Sequence, residues 1–286
     1  MVARERLIGV ATRVVGSPRI AIGRRVLDRF NAADGGLLAA GVAYNVVLAL
    51  IPIGIVASGF AGLVLNDPES RAEMIRTISR FLPPLAGVVD EIVGGLSRAS
   101  PSISILGLLL AAWGTSRLFA ALESAIAQIN AGGPRRSLAR RTARRLGSIA
   151  VLAGIVLVTV IATPVLALAV EMNGAGPARP ILELFLTVLP PVLGGLALAL
   201  VYRLIPLPRP TWRAIVPPTV VGAVALVGLT RLFVFLAPRL FGANLVYGTL
   251  GAILVGLTWL DLVFTVVLLG AAWVRERATT AEAVVV

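Results

Sequence analysis

Cysteine, histidine and lysine are all absent from this chain of 286 residues, and charged side chains of any kind make up only 14% of it. Without cysteine there is no disulfide framework and no thiol nucleophile. Without histidine, the usual zinc sites and imidazole acid–base chemistry are excluded as well. Phosphodiester hydrolysis would need a metal held by grouped acids, or a general acid–base pair. The near-adjacent acids, Asp67, Glu69 and Glu73 or Asp90 and Glu91, lie together in one loop, and Glu123 and Asp261 stand alone inside apolar runs. No nucleophile and base occur at a spacing that suggests acyl transfer. The expectation is a protein that is not an enzyme and carries no cofactor or metal.

What the chain has in abundance is apolar surface: 58% hydrophobic residues and a mean hydropathy of +0.94, beyond the range of soluble domains this long. It is concentrated in six stretches, near 37–65, 103–128, 146–170, 181–202, 214–238 and 246–274. Each holds about 20 or more mostly uncharged residues, enough at ~1.5 Å per residue to cross a hydrocarbon core of about 30 Å. A transmembrane barrel would show strands of alternating polarity, whereas 150–170 and 193–201 are apolar on every side. The fold class expected is an all-α membrane protein, a bundle of six transmembrane helices.

The net charge of +12 is distributed by side. Residues 1–34, the loop carrying Arg135 to Arg145, the loop from Arg203 to Arg213 and the segment after the sixth stretch together hold 18 arginines and five acids. The alternate loops hold six arginines and seven acids. The positive-inside rule then places both termini in the cytoplasm. Arginines at that edge also attract anionic lipid headgroups, at about 1 kcal/mol each. No aromatic stacking platform or recognition motif accompanies them, so membrane lipid is the expected partner and nucleic acid is not.

The segment 1–34 reads as a basic, amphipathic N-terminal region rather than a cleavable signal. Ser17 and Pro18 suit the N-cap and first position of a helix, with Ile22, Val26, Leu27 and Phe30 opposed by Arg24, Arg25 and Arg29. Such a helix is expected to lie on the cytoplasmic face of the bilayer. In the long outer loop 66–102, Met74, Ile75 and Ile78, and then Leu85, Val88, Val89, Ile92, Val93 and Leu96, are spaced for two further amphipathic helices. The membrane domain is 35–275, and 276–286 reads as a cytoplasmic tail.

Function is expected where polar groups are kept at membrane depth, since a charge there costs about 2.5–3.5 kcal/mol on insertion scales. In the second stretch Ser116, Glu123 and Asn130, beside Arg117, Ser124 and Gln128, give one polar face. In the sixth, Tyr247, Gly251, Thr258, Asp261 and Thr265 share another. Arg117 and Asp261 fall at similar depth, ~21–23 Å from the outer end, so an Arg117–Asp261 ion pair is expected in the bundle interior. The first stretch adds Tyr44, Asn45 and Pro52. Pro52 has no N–H for the carbonyl of Leu48 and predicts a kink, with a freed carbonyl near Asn45. The structural alternative is that these groups only join helices.

Four segments carry a resemblance: AAGVAYNVVLALIPIGIVAS around Tyr44 and Pro52, WGTSRLFAALESAIAQI, YRLIP at Tyr202, and VYGTLGAILVGLTWLDLVFTVVLLGA. In this order, from about residue 30 to 275, they resemble the YihY/BrkB family. Tyr44, Pro52, Trp113, Ser116, Tyr247, Gly248, Gly251, Trp259 and Gly270 match its pattern. Ala127 and Ala272 depart from it, standing where relatives usually have Asn and Glu. The resemblance implies a six-helix inner-membrane protein of bacteria. Some members carry an old ribonuclease label, which the chemistry above disfavours, and others are linked to serum resistance or to envelope lipid traffic.

Two function classes follow. One is a transporter or flippase of a lipid or other amphiphile for envelope maintenance, with Tyr44, Asn45, Pro52, Ser116, Arg117, Glu123, Tyr247, Thr258 and Asp261 lining its cavity. The other is a non-catalytic membrane scaffold or envelope-stability factor. Either is compatible with a homo-oligomer. Three spans followed by three more would give inverted halves, but 37–170 and 181–274 share no evident sequence similarity.

Overall fold

The computed structural model describes residues 18–64, 101–130, 179–205, 209–241 and 248–283, with the single positions 170 and 176, and every regular element among them is a helix. In chain order these are α1 (Pro18–Ala32), α2 (Gly35–Val64), α3 (Pro101–Ile129), α4 (Arg179–Leu204), α5 (Trp212–Phe241) and α6 (Gly248–Ala283). Five of the six apolar stretches thus correspond to α2 to α6. The stretch 146–170 but for its last residue, the two outer-loop helices expected within 66–100, and Tyr247 lie outside the described residues.

Among the described residues, three helical segments are long and apolar enough to cross a membrane: Arg179–Leu204, Trp212–Leu236 and Ile253–Thr280. The bent pair Ala21–Ala32 and Gly35–Ala49 makes a fourth if it crosses as one unit. The outward faces of α4 and α5 present Leu184, Phe185, Val188, Val192 and Leu196, and Val216, Val220, Val221 and Val224. Continuous apolar faces of this kind, costing about 25 cal/mol per Å² in water, call for an apolar surrounding.

α1 begins with Pro18 as its first residue, where the missing N–H costs nothing. It ends in a tight elbow. Asp34 adopts the left-handed region (φ 52°), its N–H donates to the Asn31 carbonyl at 3.0 Å, and its own carbonyl accepts from the Leu38 N–H at 3.0 Å. The next residue has to be glycine, because a Cβ on Gly35 would lie 2.3 Å from the Phe30 ring. The resulting 64° bend folds α1 back onto the bundle. Its apolar face, Val26, Phe30 and Ala33, is buried in a core that also holds Ile129, Ala271 and Val274. The helix expected on the bilayer surface turns Val26 and Phe30 of its apolar face onto protein, while Leu27, read onto the same face, is exposed.

α6 is the hub, packing on every other described helix, while α2 lies extensively against both α3 and α6. The tightest joint ties α4 to α6. Tyr202 is fully buried and its hydroxyl donates to the Val267 carbonyl at 2.9 Å. A Cβ on Gly270 would sit 1.9 Å from that hydroxyl, so the phenol reaches its acceptor only across a glycine. The same ring faces Gly222 of α5, where a Cβ would be 3.0 Å from Leu198 Cδ2 and 3.9 Å from the hydroxyl.

Helix directions follow from cross-helix bonds. Gln128 near the end of α3 donates to the Ala33 carbonyl beside the start of α2 (3.4 Å), and Arg277 late in α6 donates to the Arg213 carbonyl at the start of α5 (3.3 Å). The start of α2, the ends of α3 and α4, the start of α5 and the last turns of α6 therefore share one end, here the basic end. α6 continues to Ala283, so residues 276–283 prolong the sixth helix where the sequence suggested a tail.

Candidate functional site

Of the polar face expected on α3, four residues are open, while Asn130 is buried. Ser116, Arg117, Ser124 and Gln128 are all exposed, whereas Leu122, Ala125, Ile126 and Ile129 on the other side are buried. The Arg117 guanidinium lies over the Trp113 ring, 5.1 Å from its centroid, one helical turn earlier. This cation–π contact is worth about 0.5–1 kcal/mol at an exposed site. Glu123 is half-buried on the same helix.

The ion pair between Arg117 and Asp261 is not formed. Asp261 is half-buried on α6 and its Oδ1 is enclosed with no hydrogen-bond partner. The reason is positional: Arg117 lies on the exposed face of α3, away from the side that buries Leu122, Ala125 and Ile126, while Asp261 Oδ1 is enclosed on α6. At that level α6 turns Trp259 and Leu260 toward Ala43 of α2 and Phe233 of α5. Matching depths gave no information about azimuth.

Other expected site residues satisfy themselves locally. Asn45 Nδ2 donates to the Gly41 carbonyl at 2.7 Å and Thr258 Oγ1 to the Leu254 carbonyl at 2.9 Å, each one turn back along its own helix. Tyr44 is exposed. Pro52 lies inside α2, which continues to Val64, and its ring is outside the described side chains.

A second polar place, not singled out in the sequence, forms at the basic end. Arg29 holds Glu276 Oε1 through Nε and Nη2, both at 2.7 Å, and Arg25 Nε lies 3.5 Å from Oε2. The carboxylate is the most sheltered of the three, at 13% side-chain exposure against 26% for Arg29 and 54% for Arg25. Beside it is a cleft of ≈ 420 Å³ lined by Arg25, Asp28, Arg29, Ala32, Ala33, Gln128, Ile129 and Glu276. Further along this end Arg203 donates to the Pro210 carbonyl and lies 5.3 Å from the Trp212 ring centroid. Asn130 Nδ2 and the Nε atoms of Arg275 and Arg277 are buried without a partner. Two signals could have marked the cleft: Arg25 and Arg29 at i, i+4 opposite an apolar face, and Glu276 as an acid between two arginines. Among the described residues there is no group of three or more acids that could hold a metal.

Residues 26–284 match the family model described as Virulence factor BrkB. The chain is 25% identical over 267 residues to a UPF0761 membrane protein of Chromohalobacter salexigens, covering 89% of this chain. It spans 63% of the length of that relative. No solved structure matches. With nearly its whole length inside the family model and a membrane-protein relative aligned across most of it, the chain belongs to the YihY/BrkB family of membrane proteins.

Proposed function

We propose that this is a six-span protein of the bacterial inner membrane, with both termini cytoplasmic, that moves a lipid or other amphiphile between leaflets and performs no covalent chemistry. The observation that carries the reading is the state of its mid-depth charges. Among the described residues Arg117 has Trp113 as its one partner, and the buried oxygen of Asp261 has none. A lipid-facing arginine or a desolvated lone carboxylate is disfavoured by several kcal/mol, so both groups suit a path that admits water or headgroups. The open stripe of Ser116, Arg117, Ser124 and Gln128 offers such a path along α3. Anionic headgroups gathered by the basic end would be the partners; nucleic acid would not.

Six spans are supported by helix directions. α3 and α4 both finish at the basic end, so the chain between Ile129 and Arg179 must change ends, the journey a span at 146–170 would make. The scaffold reading keeps one observation in its favour: Asn45 and Thr258, two expected cavity groups, are satisfied within their own helices. Reconstitution in liposomes with a labelled anionic phospholipid separates the two. Transbilayer movement above that of empty vesicles, lost in Asp261→Asn and Arg117→Ala, is expected. Equal movement in loaded and empty vesicles would refute transport.

A further inference from the structure

The basic-end cleft has a property the mid-depth residues lack: two guanidiniums converge on one oxyanion. Arg29 grips Glu276 Oε1 with two N–H groups, and Arg25 approaches the other oxygen at 3.5 Å, beyond the 2.7–2.9 Å of a strong charge-assisted bond. Arg25 is also more than half exposed, so its guanidinium is the part of this triad that another anion can take over. We propose that the cleft between α1 and the end of α6 is a headgroup site for an anionic phospholipid, whose phosphate takes Arg25 from Glu276, and that the α3 stripe opens from it. This rests on the transport reading.

Four features favour this ligand. The guanidinium fork matches a phosphodiester as well as it matches a carboxylate. The volume, ≈ 420 Å³, falls in the range of about 300–1,000 Å³ that holds small ligands and would admit a glycerophosphate headgroup. Leu27 and Leu37, on the two arms of the elbow, are exposed where acyl chains would run alongside. Gln128 lines the cleft, and Ser124 and Arg117, four and eleven residues earlier on the same exposed face, lead from it to mid-depth over ~17 Å. Within the lining Asp28 and Glu276 balance the two arginines, so net attraction does not drive entry. Exchange does: the phosphate replaces the carboxylate as partner of Arg25. Arg24, Arg213 and Arg277 on the same end supply the steering field.

The test uses the full chain in phosphatidylcholine nanodiscs, with a photoactivatable short-chain phosphatidylglycerol as probe and labelled peptides mapped by mass spectrometry. Label is expected within residues 25–33 and 124–130. Arg25→Ala should lower it about tenfold and Arg25→Lys less, whereas Glu276→Gln, which frees both guanidiniums, should raise it about threefold. A latch that only fastens α1 predicts the reverse for Glu276→Gln, and loss of label in that variant would overturn the site. So would labelling spread over other arginine segments, labelling insensitive to Arg25→Ala, or competition by inorganic phosphate as effective as by unlabelled phosphatidylglycerol. Labelling as expected without movement in the liposome assay would leave the site standing and remove the transport reading. Movement with no label at the cleft would do the opposite.

Discussion

The two polar regions of this protein treat charge in opposite ways. At the basic end Glu276 meets two arginines from another helix, and the three groups hold α1 against α6. At mid-depth Arg117 and Asp261 leave each other alone, one over a tryptophan of its own helix and the other with an enclosed, unpaired oxygen. Where charge fastens helices it is paired across them. At mid-depth the two charges are not paired with each other across helices. The contrast can be tested through stability, because a paired charge and an unpaired one respond oppositely to removal.

The largest effect is expected away from both, at the joint that sets the helices in place. Gly270→Ala puts a methyl group where the Tyr202 hydroxyl now sits, displacing the ring and its bond to Val267. Unfolding in detergent should lose about 2–4 kcal/mol, from overpacking together with a buried donor left unpaired. An unchanged midpoint would show that Tyr202 does not fasten α4 to α6.

Next comes the paired carboxylate. Glu276→Ala leaves Arg25 and Arg29 facing each other with no anion between them, for an expected loss of about 1–2 kcal/mol, moderated by their partial exposure. Limited proteolysis near the α1–α2 elbow should accelerate in the same variant. Asp261→Asn should behave in the contrary sense, holding stability level or raising it by up to about 1 kcal/mol, since an unpartnered charge becomes a neutral amide. A loss as large as that of Glu276→Ala would mean Asp261 has a partner after all. The smallest change belongs to Arg25→Ala, which removes an exposed and loosely held partner and should cost under about 0.5 kcal/mol in thermal unfolding. Its effect belongs to headgroup labelling instead.

Much of the fold was legible in the chain. Five apolar stretches match helices to within a few residues at most of their ends, and Pro18 marked the first residue of α1, because hydropathy and first-turn chemistry act locally. The exposed side of α3 with Ser116, Arg117, Ser124 and Gln128 was legible for the same reason, since helical periodicity fixes which residues share a side, but Asn130, read onto that face, is buried. The Arg117–Asp261 pairing was not. Depth along an axis can be counted from sequence, but which side of α3 faces α6 cannot. The cleft was missed because its residues are separated by some 250 positions and Glu276 falls where the sixth stretch has already ended.

The amino-acid sequence alone determined that this protein is a set of apolar helices with most of its arginines in alternate connecting segments, because hydropathy and charge are properties of short segments. The tertiary structure decided which charges meet. The elbow at Asp34 and Gly35 brings Arg25 and Arg29 to Glu276, and the exposed face of α3 holds Arg117 over Trp113 and away from Asp261. A Coulomb interaction depends on distance in three dimensions, and a linear pattern fixes only one of them.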